Sequence, residues 1–295
     1  MLERLQIDNF LTFRHLDIKK LKQINLIAGR NGVGKTAVLE AIFLYFKRNE
    51  TATSFILNQR GHSLSNQTDL GNLIHKEDLT TKVEVVGIND WKWKLKTAPR
   101  ALLIQKSDFN KTPVYYSTST VNFQSIEDLW KQTVLTSKEE EVLDILRFSV
   151  RDDIARISAV GGNVLVKLEK NSQPVHLSAL GDGVTRILYL ALSLVNTKDG
   201  ILLIDEIETH LHYTVIQKLW QMLFKYGKEW NIQIVATTHS DDVIRQLFYV
   251  ASANSEYRDM AQFIRLQLSR QGQHEALLYP IDDLEKMLQL ELEIR

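Results

Sequence analysis

The sequence predicts an α/β fold on parallel strands, and three stretches carry that expectation. Ile24–Ala28 is a short, mostly apolar run before a glycine, Ile201–Ile204 is four apolar residues ending in two acids, and residues 232–236 read as a third strand, with Asn25 and Gln233 the polar residues in the first and third. Continuous apolar runs of this length suit strands buried on both faces, as in a parallel sheet. Between the first two, residues 35–46 place Val38, Leu39, Ile42, Phe43, Tyr45 and Phe46 around nearly every helical face. That distribution predicts a helix packed deep against the sheet.

The remaining elements follow in order. Residues 1–30 read as strands entering the sheet from its edge: Leu5, Ile7 and Phe10 begin one, and residues 15–19 form another. Residues 49–125 lose the helical period, carry Gly61, Gly71 and Gly87, and alternate over residues 82–87 and 91–96. We read them as a variable β-rich insertion. A helix follows, with Val142, Leu146, Val150 and Ile154 spaced four apart on one face and residues 138–141 as a solvated start. Asn163–Leu168 reads as a strand, and after the turn at Gly181 and Gly183 a stripe of Val184, Ile187, Leu188, Ala191 and Leu194 marks a helix. Val215, Leu219, Met222 and Tyr226 mark another, and Ser240 reads as the N-cap of a helix carrying Val243, Ile244 and Leu247.

Length and composition set the outer bounds. At 295 residues, 44% of them hydrophobic, the chain can bury a real core and is expected to be one globular unit with an inserted lobe. Lys+Arg and Asp+Glu both number 36, so no global field draws it to nucleic acid, and any DNA contact must be a local patch. The absence of cysteine excludes disulfides, thiolate zinc sites and thiol catalysis, and suits a reducing cytoplasm. Glu3, Arg4 and Asp8 stand where a signal peptide needs an apolar core, and the longest apolar stretch, from Ile187, is broken by Ser193. No membrane span is therefore expected.

The first chemical signal is Gly29-Arg30-Asn31-Gly32-Val33-Gly34-Lys35-Thr36, which matches G-x-x-x-x-G-K-[ST] between an apolar strand and a helix. Glycines allow a tight ring whose N–H groups point inward at phosphate oxygens, and the helix adds its positive dipole end. Asn31, Gly32, Val33 and Gly34 would line the phosphates, Lys35 would reach the β- and γ-phosphates, and Thr36 would bind Mg²⁺. The expected ligand is a nucleoside triphosphate. The second signal is Asp205-Glu206 at the C-terminal end of an apolar strand, the edge where open α/β sheets bind ligands. Asp205 would hold Mg²⁺ through water, and Glu206 would orient or deprotonate the attacking water.

Three further segments fall in the order seen in ABC-type ATPases: residues 177–183 (LSALGDG), then Asp205-Glu206, then residues 236–240 (ATTHS). The first resembles the ABC signature loop, which implies that Ser178 and Gly181 contact the γ-phosphate held by an opposite subunit. The third resembles the switch loop, which implies that His239 senses that phosphate. The wording LSALGDG, IDEIETHLH and ATTHS, with the opening LERLQIDNFLTFRHLDI, is similar to the OLD group and its stand-alone relatives, close to the SMC and RecF ATPases. The resemblance covers about residues 1–48 and 140–250. It implies a P-loop NTPase of ABC-ATPase type: residues 1–295 as one ATPase domain on a mixed β-sheet core, with 49–125 as the insertion and 126–196 as the helical signature lobe. Ile207 and Tyr213 stand where the family often has proline, and neither Gln105 nor Gln124 has the context of the family's glutamine loop.

From this resemblance follow a homodimer, or a higher even oligomer, closed around ATP, and slow ATP hydrolysis. In OLD proteins a Toprim nuclease domain follows the ATPase, whereas few residues follow His239 here. The resemblance therefore implies a separately encoded effector, a nuclease, in antiphage defence or DNA maintenance. The alternatives are a non-hydrolysing scaffold or sensor and a transporter nucleotide-binding subunit. Other chemistry-bearing groups have plainer readings. Asp152-Asp153, Asp241-Asp242 and Asp282-Asp283 suit helix surfaces or first turns. Lys92, Lys94 and Lys96, interleaved with Trp91 and Trp93, suit a strand with one wet face. Glu208, His210 and His212 lack a distant third ligand.

Overall fold

The computed structural model describes residues 1–47, 49–62, 73, 83–86, 92–98, 101–104, 112–119, 121 and 123–289. The chain runs through β1 (Leu5–Phe10), β2 (Phe13–Ile18), β3 (Ile24–Ala28), helices α1 (Lys35–Lys47) and α2 (Glu50–Gln59), and strands β4 (Val83–Val86), β5 (Lys92–Ala98), β6 (Ala101–Ile104) and β7 (Val114–Ser117). Helices α3 (Phe123–Lys131) and α4 (Lys138–Ser149) lead to β8 (Ile154–Val160), β9 (Asn163–Leu168) and β10 (Val175–His176). Then come α5 (Asp182–Val195), β11 (Ile201–Ile204), α6 (Tyr213–Glu229), β12 (Gln233–Thr237), α7 (Asp241–Ser252), α8 (Ser255–Met260), β13 (Ala261–Leu268), β14 (His274–Pro280) and α9 (Ile281–Gln289).

The central sheet has the order β14-β13-β3-β12-β11-β7, with β13, β3, β12, β11 and β7 parallel and β14 antiparallel at the edge. Because side chains alternate along a strand, each apolar run feeds two cores. Leu26, Leu202, Ile204, Ile234 and Ala236 face a helical layer containing α4, α5, α6 and α7. Ile27, Ile201, Leu203 and Val235 face α1, whose far side packs under β1 and β2. A helix held between two sheets must be apolar all round, which is why Val38, Leu39, Ile42 and Tyr45 are fully buried.

The N-terminal strands do not enter this sheet. They belong to a separate antiparallel sheet of order β2-β1-β4-β5-β6, to which residues 49–125 contribute three strands. That same stretch also holds the helix α2, capped by the Asn49 side chain, and the strand β7 of the central sheet. The stretch is thus β-rich, but parts of it are woven into both sheets. Register places Lys92 and Lys94 in the cross-strand rows of Gln6 and Asp8, and Trp93 in the row of Ile7. The row of Lys94 also holds Glu84, and the row of Lys92 holds Val86 and Asp17. Trp91 lies outside the described residues.

One helical expectation fails. Val142 and Leu146 are buried on α4, but the helix ends at Ser149, and Ile154 opens β8. Spacing by four also fits a strand residue that reaches the same core from a new direction, and Ile154 does so. The three-stranded sheet β10-β9-β8 packs with α3, α4 and α5 to form the lobe that carries residues 177–183. Among the described residues, no helix is long and apolar enough to cross a membrane.

Candidate nucleotide site

The loop after β3 takes its shape from close packing. A Cβ at Gly29 would lie 2.3 Å from the Leu266 carbonyl oxygen, and one at Gly34 2.5 Å from the Phe13 ring, so both positions need glycine. Gly34 also has φ +102°, outside the range that L side chains favour. Lys35 follows as the first residue of α1, and its Nζ donates to the carbonyls of Gly29 (2.7 Å) and Arg30 (3.1 Å). The ammonium therefore lies across the loop that residues 29–34 form. Burial lowers its pKa, against the opposing pull of Asp205, Glu206 and Glu208.

Parallel pairing brings the ends of β3, β12, β11 and β7 to one edge, and there the next groups meet. Thr36 Oγ1 donates to Asp205 at 3.1–3.2 Å, and Thr237 Oγ1 donates to Asp205 Oδ1 at 2.6 Å. Burial raises the Asp205 pKa, while the Thr237 and Thr36 hydrogen bonds pull it back. Glu206 turns out of the strand at φ +45°, with its amide held by Thr237 Oγ1 at 2.8 Å. Its carboxylate accepts from the Thr209 hydroxyl at 3.3 Å and lies 3.8 Å from His239 Nε2. Both Glu206 and His239 remain partly open to solvent. Hydroxyl and carboxylate oxygens side by side form the donor set that Mg²⁺ prefers, so Thr36 and Asp205 fit that ion.

The structure thus brings Lys35, Thr36, Asp205, Glu206 and His239 together. Ser178 and Gly181 stand elsewhere: both are exposed on the lobe, Ser178 Oγ lies 3.5 Å from His176 Nδ1, and the Gly181 amide donates to the Ser178 carbonyl. Gly181, at φ +98°, ends a short 3₁₀ turn over Leu177–Leu180 and opens α5 without a side-chain cap. The first N–H groups of α5 are consequently available to an anion.

Sequence reasoning missed Thr237 and Arg186 at this edge and weighed Glu208 only as a metal ligand. Thr237 ties Asp205 to the Glu206 amide, and the only trace was a Thr-Thr pair before His239. Glu208 binds the switch loop, accepting from Thr238 Oγ1 (2.8 Å) and the His239 amide (2.7 Å). Among the described residues, no cluster of three His, Asp or Glu side chains is arranged to hold a metal. Arg186, on the second turn of α5, is 1% exposed and donates to Ser117 Oγ, the Thr118 carbonyl and the Asp205 carbonyl. It fastens the signature helix to the ends of β7 and β11, and burial lowers its pKa to about 10. The edge beside Asp205 that β7 supplies carries Ser117 and Thr118, whereas Gln124 sits in α3 bonded to Asp128 and Gln105 lies outside the described residues.

A family model described as "AAA domain" matches residues 4–147, and one described as "AAA domain, putative AbiEii toxin, Type IV TA system" matches residues 166–245. Septu protein PtuA of Bacillus mycoides (strain KBAB4) is 25% identical over 284 residues, covering 83% of this chain and 39% of that protein. The chain therefore spans about two fifths of that relative's length. The DNA replication and repair protein RecF of Actinobacillus pleuropneumoniae serotype 5b (strain L20) is 43% identical over 61 residues, 21% of this chain and 17% of that one. The fold superposes on an SMC head bound to the C-winged helix domain of ScpA with a TM-score of 0.62, at 14% identity, over 98% of this chain and 99% of that one. The chain thus has the P-loop fold of an ABC-type ATPase and is similar in sequence to AAA domains, Septu protein PtuA and RecF.

Proposed function

We propose that the chain binds ATP with Mg²⁺ at the end of β3 and hydrolyses it when two copies meet head to tail, each closing the other's site with Ser178 and Gly181. One observation carries this reading. The phosphate loop, Asp205, Glu206 and His239 share one sheet edge, whereas Ser178 sits exposed on the lobe, its hydroxyl 3.5 Å from His176 Nδ1. Residues 29–36 cradle the phosphates through backbone N–H groups, and Lys35 leaves its two carbonyls for phosphate oxygens. Thr36 and Asp205 would hold Mg²⁺, which when bound would supply positive charge against the phosphate oxygens. Glu206 takes the proton of a water that adds to the γ-phosphorus as the bond to the bridging oxygen breaks, giving ADP and phosphate. His239, beside Glu206, stands where it can sense the γ-phosphate.

Hydrolysis removes the charge that bridges the copies, so nucleotide state becomes a conformational signal. Residues 126–196 act as the signature lobe, and residues 49–125 complete the N-terminal sheet as the insertion. We place the protein in the cytoplasm, acting on a separately encoded effector, a nuclease, in antiphage defence. The OLD-like wording of the motifs and the similarity to Septu protein PtuA support that role. The test is Glu206→Gln: trapping of an ATP-bound dimer that releases no phosphate supports the reading. Association unchanged by the substitution, with negligible turnover in the wild type, favours a sensor without hydrolysis.

A further inference from the structure

We infer that Glu208 is a positioning residue for hydrolysis, a carboxylate clamp that holds the switch loop against the catalytic turn and so sets the distance from His239 to Glu206. The inference rests on the reading of Glu206 and His239 as the groups that face the γ-phosphate.

The turn after β11 and the loop after β12 are two unrelated backbone segments, joined at two levels. Thr237 makes the lower link: its hydroxyl accepts the Glu206 amide, and its carbonyl accepts the Ile207 amide at 3.0 Å. Glu208 makes the upper link. One carboxylate oxygen accepts from Thr238 Oγ1 at 2.8 Å and the other from the His239 amide at 2.7 Å. The Thr238 hydroxyl then accepts the Ser240 amide at 3.0 Å, so the order imposed by Glu208 continues to the start of α7.

Glu208 touches the backbone of His239 on one side and belongs to the turn of Glu206 on the other. These links hold the backbone on both sides of the 3.8 Å gap between His239 Nε2 and Glu206 Oε1. A misplacement of about 1 Å in such a pair costs on the order of 100-fold in rate. The clamp acts through two accepted hydrogen bonds, and glutamine can keep one and reverse the other.

The test uses steady-state ATP hydrolysis by the full chain and amide hydrogen exchange over residues 236–242 without nucleotide. Glu208→Ala should lower kcat roughly 10- to 100-fold, change KM by less than about threefold, and speed exchange at His239. Glu208→Gln should stay within about threefold of wild type. In a His239→Ala background, Glu208→Ala should add no further loss, because its effect runs through His239. Glu208→Asp, which draws the carboxylate back by one methylene, should show the same faster exchange if alanine fails to fold. Wild-type exchange and rate in the alanine or aspartate variant, or losses that multiply in the double variant, overturn the inference. If Glu208→Ala is inert while His239→Ala is slow, only the clamp is wrong. If His239→Ala itself turns over at the wild-type rate, the reading beneath it falls as well.

Discussion

Thr237→Val tests how the catalytic edge is held. Thr237 is fully buried, and its hydroxyl makes two bonds, donating to the Asp205 carboxylate at 2.6 Å and accepting the Glu206 amide at 2.8 Å. Valine fills almost the same volume, so no cavity opens and the cost is polar. A buried amide left without an acceptor costs about 1–3 kcal/mol, and loss of a bond to a charged acceptor about 1.5–3 kcal/mol. We expect a destabilisation of about 3–5 kcal/mol, or a Tm roughly 5–8 °C lower at this chain length. The cost should depend on pH. Asp205 has its folded pKa raised by burial, so its contribution to stability is present below the unfolded pKa and lost as pH rises through the folded one. The Thr237 bond offsets that loss by favouring the ionised form, so the mutant's deficit should be smaller near pH 4 and larger at pH 7. Thermal melts of wild type, Thr237→Val and Thr237→Ser at both pH values decide it. Serine keeps the hydroxyl and should lose only the methyl contribution, about 1 kcal/mol. A valine mutant that melts with wild type, or a deficit that shrinks toward neutral pH, refutes the reasoning.

Gly34→Ala, whose Cβ would meet the Phe13 ring, and Gly29→Ala, whose Cβ would meet a backbone oxygen, should cost several times more stability than Gly32→Ala, which faces open space; equal melting shifts would contradict the packing. At Gly32 only the φ of +77° is strained, worth about 1–2 kcal/mol. Glu40 is 2% exposed on α1, and burial pushes its carboxyl up to about 7 despite two hydrogen bonds from Arg60. Its folded pKa being raised, wild-type stability should fall between pH 5 and pH 8 by on the order of 2–3 kcal/mol, and Glu40→Gln should flatten that slope in urea melts. Arg186→Met should uncouple the signature helix from the Asp205 strand end, lowering ATP turnover at least tenfold while leaving analogue binding near wild type. Loss of binding in place of turnover would show that Arg186 serves the phosphate loop.

How much of this was legible in the sequence depended on how local the cause was. Ile201–Ile204 and Ile24–Ala28 announced central strands because burial on both faces leaves a run mostly apolar, Asn25 being the exception, and the structure keeps them at the centre of the sheet. The phosphate loop was readable because its letters lie in one short stretch between a strand and a helix, although the packing that demands Gly29 and Gly34 comes from Leu266 and Phe13. Ile154 misled because spacing by four cannot tell a helix face from a strand that returns to the same core. The N-terminal strands misled because pairing partners lie far along the chain: β1 pairs with β4, and no local signal chooses that partner over β3. Thr237 and Arg186 were invisible, and Glu208 was weighed only as a metal ligand, for a similar reason. Each is an ordinary polar residue until the parallel register sets β7, β11 and β12 side by side with their ends at one edge.

The most direct measurement of the central claim is the mass in solution of wild type, Lys35→Ala, Ser178→Arg and an equimolar mixture of the two variants, each with a non-hydrolysable ATP analogue and Mg²⁺. A site shared between copies predicts that wild type doubles in mass with the analogue and that neither variant does so alone. The mixture should recover a dimer, because one of its two sites pairs an intact phosphate loop with an intact Ser178 turn. A wild type whose mass ignores the analogue, or a Ser178→Arg variant that dimerises as well as wild type, would contradict it.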